Sequence, residues 1–202
     1  MTEIKAYLPT TNSLCEGQVL SSPYEYQKAR IIVREMAGNL AYQLSDKDMG
    51  THSLTMDIGY DRENCDNGSY SGEIHIDHYG RKVPKGAHGS IQLAAPTNLE
   101  RQLTQSACEL FDRIADPKLL VRRITIATNR VTKDEGIYQF DLFTDTEKLE
   151  KEKRLQSAML GIKKKYGKNA VLKGTNFLKG ATIREWNGQV GGTDPKTGRY
   201  LK

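Results

Sequence analysis

The chain has 202 residues, 37% hydrophobic and 27% charged: enough apolar material for one good-sized domain with appendages or two small ones, and no apolar run near the roughly 18 residues of a membrane span. Three cysteines, Cys15, Cys65 and Cys108, are odd in number and form no CxxC pair, which argues against a disulfide framework or zinc site and for reduced thiols in a cytoplasmic protein. The net charge of +5 is uneven: from Thr146 onward there are 14 Lys or Arg and 5 Asp or Glu, so residues 1–145 carry a net −4, and a nucleic-acid surface there must be a local patch.

In chain order, Asn12 to Leu20 reads as a short strand. Ser22, Pro23 and Glu25 resemble a capping box opening a helix, with Ala29, Ile32, Val33, Met36, Ala37, Leu40 and Leu44 at helical spacing. From His52 to Tyr60 the pattern alternates: Leu54, Met56, Ile58 and Tyr60 on one face, Ser53, Thr55 and Asp57 on the other. The Gly-, Asp- and Asn-rich stretch 61–85 predicts a hairpin, centred on Tyr70 to Pro84, inserted beside the main sheet. A third strand, Ala87 to Ala94, points Ile91 and Leu93 inward and His88, Ser90 and Gln92 outward. Thr97 to Glu100 reads as a second capping box, opening a helix through Leu99, Leu103, Ala107, Cys108, Leu110, Phe111 and Ile114; Asp116 and Pro117 close it. A fourth strand, Val121 to Val131, buries Ile124 and Ile126 and exposes Arg123, Thr125, Ala127 and Asn129.

The order β-α-β-β-α-β predicts an α+β fold: a four-stranded antiparallel sheet with two helices on one face, its other face open. Beyond Lys133 come a polar loop with an apolar cluster and a charged helix with a thin stripe of Leu149, Leu155, Met159 and Ile162. A Gly- and Lys-rich stretch, read as a weakly structured tail, ends the chain; Trp186 within it has no periodic partner.

An open sheet of this order is a nucleic-acid platform in two designs. RNA-recognition modules stack bases on aromatics of the central strands. Here those positions offer Ser13, Cys15, His88, Ser90 and Gln92, and the available cations are Arg122, Arg123 and Arg130. That set suits phosphate contacts without sequence readout. The plain rival is an ordinary solvated sheet face, with Arg122 and Arg123 in structural ion pairs. A free-standing RNA-binding module remains a second reading. A small metal-dependent α+β enzyme using His75 and His78 remains a third, although alternation puts His75 and Asp77 on one hairpin face and His78 on the other.

Three segments carry a resemblance. KAYLPTTNSLCEGQVLSSPYEYQKARIIVREM and VRRITIATNRV resemble the first and last parts of the little-finger domain of Y-family (UmuC-like) translesion DNA polymerases, and KKYGKNAVLKG…GQVGG resembles the tail of that branch. The resemblance implies a part of a DNA-repair polymerase that holds primer–template DNA through the open sheet face. It makes Arg122 and Arg123 the leading contacts, then Ser13, His88 and Ser90, with Gln92 and Arg130 beside them. Where the family often has basic residues this chain has His88, Ser90 and Ala127, which implies weak DNA binding in isolation. Gln139, Phe140, Asp141, Leu142 and Phe143 resemble the pentapeptide that binds the bacterial sliding clamp, the polymerase III β subunit. Leu142 and Phe143 would fill an apolar pocket while Gln139 orients the peptide.

The expected layout is a linker at 1–11, the little finger at 12–133, a clamp-binding loop at 134–145, and a basic helix and flexible tail at 146–202. No segment resembles the palm whose carboxylates hold two Mg²⁺ ions in such polymerases. The implied expectation is a chain without catalysis, cofactor or metal site of its own, its partners being DNA, the clamp and the parent's catalytic domains, with no membrane.

Overall fold

The computed structural model describes residues 13–66, 70–134 and 146–188. The expected linker at 1–11 and the clamp pentapeptide at 139–143 lie outside them. Strands β1 (Leu14–Tyr24), β2 (Met49–Tyr60), β5 (Ala87–Thr97) and β6 (Val121–Asn129) form an antiparallel sheet in the order β1-β6-β2-β5, with the short β7 (Thr132–Lys133) pairing the start of β2. Helices α1 (Tyr26–Asp46) and α3 (Glu100–Ile114) cover one face. Between β2 and β5 lie the one-turn α2 (Glu63–Asp66) and the hairpin of β3 (Ile74–Ile76) and β4 (Lys82–Pro84), as the turn-rich composition predicted.

The core follows from the two periodicities. Leu20, Leu54, Met56, Ile58, Ile124 and Ile126 point from the sheet into Ile32, Val33, Met36, Leu40 and Leu44 of α1 and Leu103, Leu110 and Phe111 of α3, all essentially without solvent contact. Cys108 is part of this core, as its place in the helical pattern predicted. Gly89 is where β5 meets α3: a Cβ there would lie 2.7 Å from Ile114 Cγ2 and 3.2 Å from Leu110 Cδ1. Gly89→Ala is therefore expected to push α3 off the sheet and cost about 1–3 kcal/mol in urea unfolding, the usual range for overpacking.

Both expected capping boxes are corrected. β1 continues through Ser22 and Pro23 to Tyr24, and α1 starts after Glu25, which makes no side-chain cap. The longer strand wins because Tyr24 still pairs with Val121 of β6. At α3 the flanking residue is Leu99, and Thr97 accepts only the Leu99 N–H, at 3.1 Å. The Glu100 N–H goes instead to Gln156 Oε1 (2.9 Å), whose Nε2 donates to the Asn98 carbonyl (2.8 Å). A glutamine 56 residues away thus supplies the cap.

That glutamine belongs to α4 (Thr146–Tyr166), the charged helix expected from the sequence. The stretch beyond it, read as weakly structured, is folded as far as Gly188: Gly167, at φ 98, closes α4 in a left-handed turn, followed by a 3-10 turn (Gly174–Phe177) and α5 (Ile183–Gly188). Polar contacts hold this segment against α1 and β1. The buried Glu35 of α1 accepts from Asn176 Nδ2 (2.9 Å) and the backbone N–H groups of Thr182 (2.8 Å) and Ile183 (3.1 Å), and Gln18 of β1 donates to Thr182 Oγ1 (2.9 Å). Such contacts leave no hydrophobic period, which is why the sequence pattern conceals the docking. None of the described helices is long and apolar enough to cross a membrane.

Candidate nucleic-acid interface

The register turns the open face into a grid. Reading across β1, β6, β2 and β5, Cys15 lies beside Ala127, Thr55 and Ser90; Gly17 beside Thr125, Asp57 and His88; and Val19 beside Arg123 and Gly59. Asn129 and Gln92 flank Ser53 one row further along. Most of these side chains are small or polar, and α1 and α3 lie wholly on the other side. The alternation read for β2, β5 and β6 therefore holds, and it places Arg123, His88, Ser90 and Gln92 together on the exposed face. Ser13 is exposed one residue before β1.

Arg122 does not join them. Val121 pairs with Tyr60 and Arg123 with Gly59, so two steps on β6 match one on β2 and Arg122 is the extra residue of a bulge. The bulge turns it to the end of the sheet, where Nε lies 3.6 Å from the largely buried Asp61 carboxylate and an Nη donates to the Ser21 carbonyl at 3.3 Å. The structural ion pair weighed from the sequence describes Arg122; Arg123 makes no such pair among the described residues.

Sequence reasoning missed what surrounds Arg123. Gly59 and Gly17 flank its row and the next, and a Cβ at Gly59 would come 3.3 Å from the Arg123 Cβ. The two glycines leave a shallow trough in which a ligand backbone can approach the guanidinium. Val19, two-thirds exposed, borders the trough. The signal was present, because Gly59 and Val19 fall in step with Asp57 and Cys15 in their strands, but the partner strand is needed to see them meet.

Electrostatically the face is close to neutral. His88 Nδ1 lies 2.7 Å from Asp57 Oδ1, both groups mostly exposed. A protonated His88 would therefore be offset by its neighbour. Arg130, exposed and at φ 50, sits just past the end of β6. It lies seven positions beyond Arg123, about 23 Å along an extended strand. Asn129 Nδ2 donates to Thr55 Oγ1 at 2.7 Å, tying β6 to β2 on this face.

The hairpin histidines make local contacts: His75 Nε2 lies 3.2 Å from Glu73, while Asp77 takes the Arg81 guanidinium. The Lys85 ammonium, and after it His75, holds the Glu73 carboxyl below its ordinary range, and Arg81 does the same for Asp77. Among the described residues no three His, Cys, Asp or Glu side chains converge as a metal site.

A family model described as the impB/mucB/samB family C-terminal domain matches residues 12–142. The chain is 28% identical over 111 residues to DNA polymerase IV 2 of Halalkalibacterium halodurans, covering 55% of this chain and 26% of that protein. It is 25% identical over 185 residues to DNA polymerase IV 2 of Bacillus subtilis, covering 91% of this chain and 43% of that protein. The chain thus spans less than half the length of these curated relatives. A solved structure described as a complex of beta-clamp processivity factor and the little finger domain of PolIV aligns at TM-score 0.40 and 10% identity, over 66% of this chain and 100% of that one.

Proposed function

The chain belongs to the impB/mucB/samB family of C-terminal domains, the little-finger domain of Y-family DNA polymerases, and on that premise we propose that it holds primer–template DNA by phosphate contacts and tethers its polymerase to a sliding clamp. Arg123 is the leading DNA contact, with Arg130 at the far end of the same strand reaching a second stretch of backbone. Ser13, Ser90, Gln92 and His88 supply hydrogen bonds between them, and Arg122 contributes through the position of its bulge. Polymerisation, and the Mg²⁺ it uses, falls in this reading to catalytic domains of the parent protein in the cytoplasm. Gln139 to Phe143, within the segment 134–145, is the clamp peptide.

The observation that carries the DNA reading is the open face itself. Four strands present mostly small or polar side chains around Arg123, unpaired among the described residues, and the open face of the central strands β6 and β2 carries no aromatic for bases to stack on, since Tyr60 of β2 is buried in the core. A face so made can touch sugar and phosphate but reads no sequence. Arg123→Ala is expected to weaken binding to primer–template duplex up to tenfold on every sequence alike and to lower the slope of log affinity against log salt by about 1, the value for one lost phosphate contact. Arg122→Ala, whose guanidinium is already committed to Asp61, is expected to do less. Fluorescence anisotropy across a salt series measures both. An Arg123→Ala chain with unchanged affinity and slope would remove the sheet face from the interface.

A further inference from the structure

The folded segment after α4 has a composition that the sheet face lacks. Between Ile162 and Gly188 stand seven Lys or Arg against a single acid, Glu185. The same stretch exposes three aromatic rings: Tyr166 at 67%, Phe177 at 62% and Trp186 at 38%. Side-chain contacts tie Phe177 and the turn after Tyr166 to α5, which carries Trp186. Asn169 donates to the Arg184 carbonyl (3.1 Å) and accepts from Asn187 Nδ2 (2.8 Å), bringing the turn after Tyr166 beside that helix. The Arg184 guanidinium lies 4.8 Å from the Phe177 ring centre, tying the 3-10 turn to the same place. Between this segment and α1 and α3 runs a cleft of about 780 Å³, with Arg34, Lys163 and Lys168 in its walls.

The cleft is positive. Lys173 is paired to Glu100 and Lys164 to Asp46, but among the described residues Arg34, Lys163 and Lys168 have no carboxylate within salt-bridge distance. Lys163 Nζ sits 4.4 Å from the Tyr42 ring centre, and burial followed by the nearby Lys173 charge holds its pKa below the ordinary lysine value. An anion entering the cleft relieves that repulsion.

We propose that this segment is a second nucleic-acid site, taking a single strand whose phosphates lie along Lys163, Lys168 and Arg34 and whose bases stack on Tyr166, Phe177 and Trp186. The rings choose the single strand. In a duplex the base faces are already stacked on one another, whereas a single strand offers them to any aromatic surface. The site lies on the helix side of the sheet, so it is separate from the face assigned to duplex and does not depend on that assignment.

The chain's one tryptophan is Trp186, and base stacking quenches indole fluorescence. Titrating the 202-residue chain with an oligo(dT) single strand is expected to quench Trp186. Tyr166→Ala with Phe177→Ala is expected to reduce affinity at least tenfold, since each stacked base contributes about 1–3 kcal/mol. Both rings are mostly exposed, so the fold should survive, as far-UV circular dichroism checks. Lys163→Gln with Lys168→Gln is expected to lower the salt slope by about 1.4, at roughly 0.7 per single-strand phosphate. Arg123→Ala should leave the quench of Trp186 by oligo(dT) in place. The proposal is overturned if oligo(dT) produces no quench, if the aromatic double variant binds as well as the native chain, or if Arg123→Ala abolishes the binding. Equal competition by poly-glutamate at matched charge overturns it too, because the surface would then be a site for acidic protein.

Discussion

Replacing Leu142 and Phe143 together by alanine is expected to weaken binding to a bacterial sliding clamp a hundredfold or more while leaving the melting temperature of the chain where it was. The two residues stand with Ile137, Tyr138 and Phe140 in a stretch otherwise made of Asp, Glu, Gly, Thr and Gln. Apolar side chains on a protein surface are stabilised by a partner that covers them. Burying a Leu or a Phe contributes roughly 1.5–3 kcal/mol each, and about 2.7 kcal/mol is a hundredfold in affinity. An extended peptide sends neighbouring side chains to opposite sides, so the chain must turn at Leu142–Phe143 for both to enter one pocket. Any conformational entropy lost on binding offsets part of the gain, and a lone motif of this size is expected near micromolar affinity. The second half of the prediction rests on the fold: the sheet and its two helices close a core from residues between Leu20 and Val131. Surface plasmon resonance against the clamp, with thermal unfolding in parallel, tests both halves. A variant that unfolds, together with a YQFDLFTD peptide that ignores the clamp, would assign the cluster to the core and end the tether reading.

The chain is expected to lose stability as pH rises from about 4.5 to 7, on account of Glu16. This carboxyl, on β1, is 8% exposed on the helix side of the sheet. Burial raises its pKa from 4.5 to about 7, against the opposing pull of hydrogen bonds from Asn39 and from Gln43 Nε2 (2.6 Å) and of the Lys168 charge. Between those two values the folded chain keeps a proton that the unfolded chain has released. The contribution is therefore fully present below pH 4.5 and gone above about 7, opposite to a carboxylate held low by an ion pair. At 1.36 kcal/mol per unit this is roughly 3 kcal/mol. Glu16→Gln keeps the shape and the acceptor oxygen but carries no charge at any pH. Urea unfolding at pH 5 and pH 8 is expected to show the variant gaining roughly 2–3 kcal/mol on the native chain over that interval. Parallel pH dependences for the two chains would mean that Glu16 is solvated in the folded state.

Much of this molecule is legible along one strand or one helix at a time. The alternation in β2, β5 and β6 and the helical spacing in α1 and α3 depend only on which side chains water rejects, so the sheet, the side its helices take and the exposure of Arg123, Ser90 and Gln92 follow from the residues themselves. Family membership was equally visible in the opening strand and in VRRITIATNRV. What the sequence could not decide depends on groups far apart in the chain. The Arg122 bulge exists because β6 and β2 differ by one residue in their pairing, and only the paired register shows it. The cap of α3 is Gln156 and the anchor of the tail is Glu35; both work through single polar contacts, which have no period and no composition. A Gly- and Lys-rich stretch looks unable to bury apolar surface, and in isolation it is. Its order comes from backbone N–H groups meeting a carboxylate on α1, a partner that tertiary structure alone brings within reach.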